Sequence, residues 1–201
     1  IDTATDVRAG LARSGEVLAR GVVADRRAHA EQLLPLVQQV LAEAGARASD
    51  LGGIVVGVGP GPFTGLRVGV AAALTLGEAL GIEVRGVCSL DVVAHEWANA
   101  GAPPEFAVIA DARRKEVYWA TYAGDGTRLS GPAVSAPADV PALPLAGPGA
   151  TLVGECSGPD AIDPGLLAAA GPLLADAGHE PLYLRRPDAE VPTARKSTLL
   201  L

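Results

Sequence analysis

The sequence predicts an α/β protein of two lobes in series, the second smaller and degenerate. Three features point that way. Two β-like runs separated by Ser14-Gly15 are followed by a segment of helical period; a short unbroken apolar run, Ile54 to Val58, leads through a glycine-rich loop into a second helix; and after a break from Gly101 to Pro104 the hairpin pattern begins again at Phe106. The first lobe then reads βββαβαβα over residues 1–100, and the second occupies 101–201.

Each element has a local reason. VRAGLAR and EVLARGVV, from Val7 to Val23, form a hairpin behind a first strand entering at Ile1. Asp25 suits a helix start. From His29 to Ala44 the residues Leu33, Leu34, Leu36, Val37, Val40, Leu41 and Ala44 make an apolar arc wider than one sheet face covers, and Pro35 inside it should bend the helix. Gly45 ends it. Ile54 to Val58 has the unbroken apolarity of a strand buried on both faces. The helix from Thr64 to Leu80 is apolar almost all round, with Gly69, Ala73 and Gly77 making one side nearly bare backbone. EVRGVC is a strand and Ser89 to Asn99 a helix. In the second lobe FAVIADA and EVYWATY flank a turn at Arg113 to Lys115; Leu129 to Gly149 reads as loop with at most one strand, TLVGE as a strand, Pro164 to Ala177 as a helix and PLYLRRP as an extended end.

Composition excludes several classes. With 201 residues, 49% of them hydrophobic, the chain can bury a sizeable core and is not disordered. Only 3% are aromatic, which argues against a stacking platform for bases, and a net charge of -7 opposes independent capture of a polyanion. Cys88 and Cys156 lack a pairing pattern and read as reduced core thiols. The most apolar stretch, Val68 to Gly77, is closed by Arg67 and Glu78, short of the ~20 residues a membrane span needs. A soluble cytoplasmic protein without a membrane partner is expected.

The segment GVGPGPFTGLRVG has the strand, glycine loop and helix order of phosphate sites. Its details argue against one: Gly65 is followed by Leu66 and Arg67 where a P-loop needs Lys and Ser or Thr, and Pro60 and Pro62 lack the N–H groups of a cradle. No cofactor is expected. Thr64 would cap the helix, Gly65 would allow close packing, and Arg67, set against the helix dipole, should meet an acidic group either in this chain or on a partner. His29, His95 and His179 make no metal-ligand spacing. Asp2, Asp91 and Asp111 are the carboxylates to test for acid/base chemistry, although caps and turns explain them more cheaply. The basic groups Arg113-Arg114-Lys115, Arg185-Arg186 and Arg195-Lys196 could touch RNA phosphate or an acidic partner, or be solvated turns and tail.

The stretch GPGPFTGLRVGVAAALTLGEALGIEVRGVCSLDVVA resembles the hallmark of the TsaB family, carried by Gly59, Pro60, Gly61, Phe63, Thr64, Gly65, Leu66 and Arg67. The likeness continues in IDTAT, RAHAEQLLPLV, DARRKEVYWATY, with Asp111 and Arg113, and PLYLRRPDA. It implies two ribonuclease-H-like lobes of the actin and sugar-kinase type, and a non-catalytic subunit that binds and activates TsaD. TsaD would transfer threonylcarbamoyl to adenosine next to the anticodon of tRNAs reading codons that begin with A. It also implies TsaE as a third member through the TsaB–TsaD complex, a homodimer when alone, and tRNA only indirectly. TsaD places two metal-binding histidines four residues apart on its first helix; here His29 is followed at that spacing by Leu33. The expected partner face comprises His29, Leu33, Leu36, Val37, Val40, Arg67, Gly69, Val70, Ala73, Leu74 and Gly77. The rival reading is an enzyme of the same superfamily, an ATP-dependent phosphotransferase or a peptidase.

Overall fold

The computed structural model describes residues 1–24 and 29–185, with His29 given by its backbone alone. The hairpin forms as its alternation requires: β1 (Val7–Arg13) pairs antiparallel with β2 (Glu16–Val23), Val7 opposite Val23. The expected first strand is reduced to a link. Asp2 exchanges both backbone hydrogen bonds with Arg8 at 2.9 Å, and the carbonyl of Ile1 accepts from the Gly57 N–H at 2.9 Å. That link joins β1 to β3 (Gly53–Gly57), which runs parallel to β4 (Glu83–Val87).

The second sheet repeats this order. β5 (Glu105–Arg113), β6 (Glu116–Ala123) and β7 (Arg128–Ser135) form an antiparallel meander, and the two-residue β8 (Leu145–Ala146) lies parallel beside β5, giving β7-β6-β5-β8. Reading residues 1 and 2 as the opening strand, the first sheet runs β2-β1-opening strand-β3-β4, the same meander followed by a parallel neighbour.

Helices cover the sheets and cross between them. α1 (His29–Glu43) places Leu33, Leu36 and Val40 on Val7 and Ala9. α2 (Phe63–Leu80) places Val70 and Ala73 on Ile54, Val56 and Val58, and touches the α1 cluster through Val68 and Ala72. α3 (Ser89–Asn99) leaves the first sheet for the second, where Leu90, Val93 and Trp97 join Phe106, Val108 and Tyr122. α4 (Pro164–Ala170) makes the opposite crossing and packs on β1 and β2. Its N-cap is Asp163, whose carboxylate accepts from the N–H groups of Gly165 and Leu166 at 2.7 and 3.0 Å.

Several expectations are corrected. The stretch 129–149 contains most of β7 and all of β8; Gly131 and Pro132 inside β7 hid it, and an edge strand tolerates them because no further ladder needs their N–H groups. TLVGE is not a strand; its first residues, Thr151 and Leu152, lie in a short 3-10 turn, Ala150–Leu152. The last helix stops at Ala170, since Gly171-Pro172 turns the chain into a 3-10 segment, Gly171–Leu173. Of the expected extended end, residues 181–185 are described and belong to no strand or helix, and the Leu182 N–H reaches the Val58 carbonyl at 2.8 Å. α2 begins at Phe63 with Pro62 as its N-cap and no side-chain cap, so Thr64 is inside the helix. It is also longer than the apolar run alone implied: by length and composition its 18 residues could cross a membrane. Gly65, Leu66, Gly69, Val70, Ala73 and Gly77 are instead buried in the protein's own core. Asp25, Arg186, Arg195 and Lys196 lie outside the described residues.

Candidate functional site

Gly59, Gly61 and Gly65 of the motif converge on a buried hub where the loop between β3 and α2 meets the turn after the opening strand, whereas Phe63, Thr64, Arg67 and Arg113 are exposed. Asp2 is fully buried; its carboxylate accepts from the Ala4 N–H at 2.8 Å and the Ser89 hydroxyl at 2.5 Å. Burial pushes the Asp2 carboxyl up, against the lowering effect of those bonds. Ser89 in turn accepts from the Gly59 N–H at 3.2 Å and gives its own N–H to the Gly59 carbonyl at 2.8 Å. The Thr3 hydroxyl donates to the Gly65 carbonyl at 2.8 Å. A side chain at Gly61 would put its Cβ 2.8 Å from the Ala4 Cα, and one at Gly57 would put it 1.8 Å from an Asp2 carboxylate oxygen.

This geometry closes the place a phosphate would take. The loop sits directly on the 3–5 turn; Gly59 spends its N–H on Ser89, and Pro60 and Pro62 have none to offer. Ser89 is no exposed nucleophile either: it is fully buried, and its hydroxyl donates to a carboxylate rather than to an imidazole. Asp111 is a turn residue, accepting from the Arg113 N–H at 2.7 Å and pairing with the Arg113 guanidinium at 3.0 Å. A cavity of about 260 Å³ lies elsewhere, lined by Arg8, Arg20, Glu96, Asp160 and Asp163, where opposite charges meet one another.

A second polar cluster had no signal in local spacing. Asp91, in the first turn of α3, accepts from the Tyr122 hydroxyl at 2.8 Å and faces Arg128 at 3.6 Å, so it ties α3 to β6 and β7. Burial raises its carboxyl, with Arg128 opposing. Beside it the fully buried Cys88 thiol is pushed up to about 12, chiefly by burial and then by the Asp91 charge. Only the fold brings residues 88, 91, 122 and 128 together.

The expected partner face divides in two. Leu33, Leu36 and Val40 are at most 3% exposed, and Gly69, Val70, Ala73 and Gly77 are also buried, all within the first lobe. A Cβ at Gly69 would meet Thr3 Oγ1 at 2.2 Å, and one at Gly77 would meet Val84 Cγ2 at 2.3 Å. The small-residue side of α2 therefore receives its own sheet, and the sequence assigned it to a partner because period cannot tell which neighbour approaches. What solvent reaches is the other side: Leu34 at 48%, Leu74 at 38% and Ala71, with Val37 and Leu41 half-buried. The His29 side chain lies outside the described residues.

Among the described residues of this chain Arg67 meets aromatic rings rather than an acidic group. Its guanidinium carbon lies 3.7 Å from the Phe63 ring centroid, and its Nε donates to the Tyr183 hydroxyl at 2.9 Å. The two ring centroids lie 4.6 Å apart with their planes tilted by 35°. Sequence distance concealed Tyr183.

The family model described as TsaD, tRNA N6-adenosine threonylcarbamoyltransferase, matches residues 17–157. An uncharacterized protein of Mycobacterium tuberculosis is 48% identical over 94% of this chain and 92% of its own length. The tRNA threonylcarbamoyladenosine biosynthesis protein TsaB of Escherichia coli is 38% identical over 62% of this chain and 54% of its own. A crystal structure from Pseudomonas aeruginosa, of an uncharacterized protein with similarity to peptidase YeaZ, superposes with a TM-score of 0.73 at 28% identity, covering 92% of this chain and 97% of that one.

Proposed function

Because the chain belongs to the TsaB family, within the group matched by the threonylcarbamoyltransferase model, we propose that it acts in tRNA threonylcarbamoyladenosine biosynthesis as the non-catalytic subunit that docks on TsaD. Its fold is of the actin and sugar-kinase type, two ribonuclease-H-like lobes with the second degenerate. The observation that carries the docking role is α2. It is an 18-residue helix of mean hydropathy 1.3, yet only 33% of it is buried. Its outward surface is free of charge from Val68 to Gly77, and Leu34, Val37 and Leu41 of α1 extend it. Such a patch is stable in water only at a cost that a second apolar face removes.

A pair of helices from TsaD laid on this outward side completes a four-helix contact. Without TsaD, two copies of this chain can use the same patch about a two-fold axis, and TsaE joins through the TsaB–TsaD pair. The closed hub supports the non-catalytic part of the reading, since the loop that would grip a nucleotide is seated on its own chain.

Titration calorimetry of the chain against purified TsaD tests the reading. Leu34→Glu and Leu74→Asp are expected to weaken binding at least tenfold each, about 1.4 kcal/mol or more. Unchanged affinity in the double variant would remove α1 and α2 from the interface.

A further inference from the structure

We propose that this chain itself carries a small contact site for single-stranded RNA at the rim between its lobes, separate from the outward face of α1 and α2. Of its seven aromatic residues, Phe63 and Tyr183 are the strongly exposed ones, at 39% and 41%, and they lie against each other. The Arg67 guanidinium, 3.7 Å from one ring centre and hydrogen-bonded to the other ring's hydroxyl, fixes the pair in one pose. Two touching rings, each about two-fifths exposed, suit a flat ligand. An unpaired base supplies that shape, and stacking on aromatic and guanidinium planes is its usual mode of capture.

Cations continue the same surface. From Tyr183 the chain runs to Arg185, whose guanidinium meets the Glu116 carboxylate and the Arg113 carbonyl, the latter at 3.3 Å. That contact brings the β5–β6 turn beside the ring pair. The turn holds Arg113, Arg114 and Lys115 at φ of 63, 53 and 64°, three successive left-handed residues with no glycine among them. This conformation is disfavoured for such residues, and all three cationic side chains are exposed. Among the described residues Asp111 pairs with Arg113 and Glu116 with Arg185, while Arg67 and the exposed Lys115 add further positive charge to the same surface. The rim is therefore positive on a chain of net charge -7.

An acidic protein surface would use the cations but not the ring pair; RNA uses both, with phosphates on the turn and a base on the stack. The surrounding negative charge keeps such binding weak and sensitive to salt, which suits a subunit that adds contacts to an RNA held mainly by a partner.

The test is fluorescence anisotropy of the full chain with a labelled oligouridylate about 10 nucleotides long. Binding is expected at about 50 mM salt and should weaken with a log–log slope near -2, as when roughly three phosphates of a single strand are neutralised. Lys115→Glu and Tyr183→Leu should each lose about tenfold. Leu34→Glu and Leu74→Asp should bind the oligonucleotide like the parent, so failure of the docking reading and failure of this one are read separately. Thermal midpoints establish that each variant is folded; if Tyr183→Leu is not, Lys115→Glu decides. Absence of binding at low salt, or parental affinity in the folded variants, overturns the proposal, as does a preference for oligoglutamate over the oligonucleotide.

Discussion

Asp91 carries opposed demands: it is nearly buried, it accepts from a buried tyrosine, and it faces a half-buried arginine. Its folded-state pKa lies above the ordinary 3.8, so the native protein binds that proton more tightly than the unfolded chain does. Its contribution to stability is therefore present at low pH and declines as pH rises from 3.8 through the raised value. Asp91→Asn keeps an acceptor for Tyr122 and removes the titration. Urea midpoints taken across pH should show the parent losing stability relative to the variant through that window, with a constant difference above it. Cys88 gives a second check. With its pKa at about 12 and its side chain wholly covered, it should resist alkylation at pH 8 in the folded protein, whereas the half-buried Cys156 reacts first. Intact mass should show one adduct under native conditions and two in denaturant. At this scale the sequence was legible where chemistry is local: the turn roles of Asp2 and Asp111 follow from bonds two residues along the chain. It was illegible where partners are distant, as with Arg67 and Tyr183, which are 116 residues apart.

Among the elements, α2 decides what can be tested by substitution. Its two sides look alike in sequence, small and apolar, yet one meets β4 at Gly77 and the other meets solvent at Leu74. Gly77→Val should destabilise folding by about 1–3 kcal/mol, because the added carbons enter space held by Val84. Leu74→Asp should change folding by no more than about 0.5 kcal/mol, as a surface substitution does, while weakening partner binding. Chemical denaturation and calorimetry on the same two proteins separate these effects; the reverse pattern would mean that the docking face is the side turned toward β4. The hairpins and the three longer helices were readable from period and turn residues, since each repeats its signal over several turns or an unbroken alternation. β8 was not, because two residues carry no period and its place is set by pairing with Ala107 and Val108 of β5.

For the whole molecule, the break at residues 101–104 marks a change in the chain's course but not in its packing. α3, from the first half, covers the second sheet through Leu90, Val93 and Trp97. α4, from the second half, covers β1 so closely that a Cβ at Gly10 would fall 2.0 Å from the Pro164 carbonyl oxygen, and Arg8 donates to the Ile162 carbonyl at 2.8 Å. Further along, the Ala177 N–H bonds to the Gly86 carbonyl at 2.9 Å, closing the second half over β4. Each sheet therefore borrows a helix encoded in the other half. Cutting the chain at the break would leave β1 and β2 without α4 and would strand α3 with its apolar side in water. Fragments 1–100 and 101–201 made separately are expected to lack cooperative thermal transitions, and mixing them should restore one transition by re-forming the α3 and α4 contacts. Two independent melts of the separate fragments would instead mean that the lobes are autonomous and that the exchanged helices only decorate them. One shared transition would make the relative position of the lobes part of the folded state itself, so that a partner gripping α1 and α2 holds the rim at Phe63 and Lys115 in register as well.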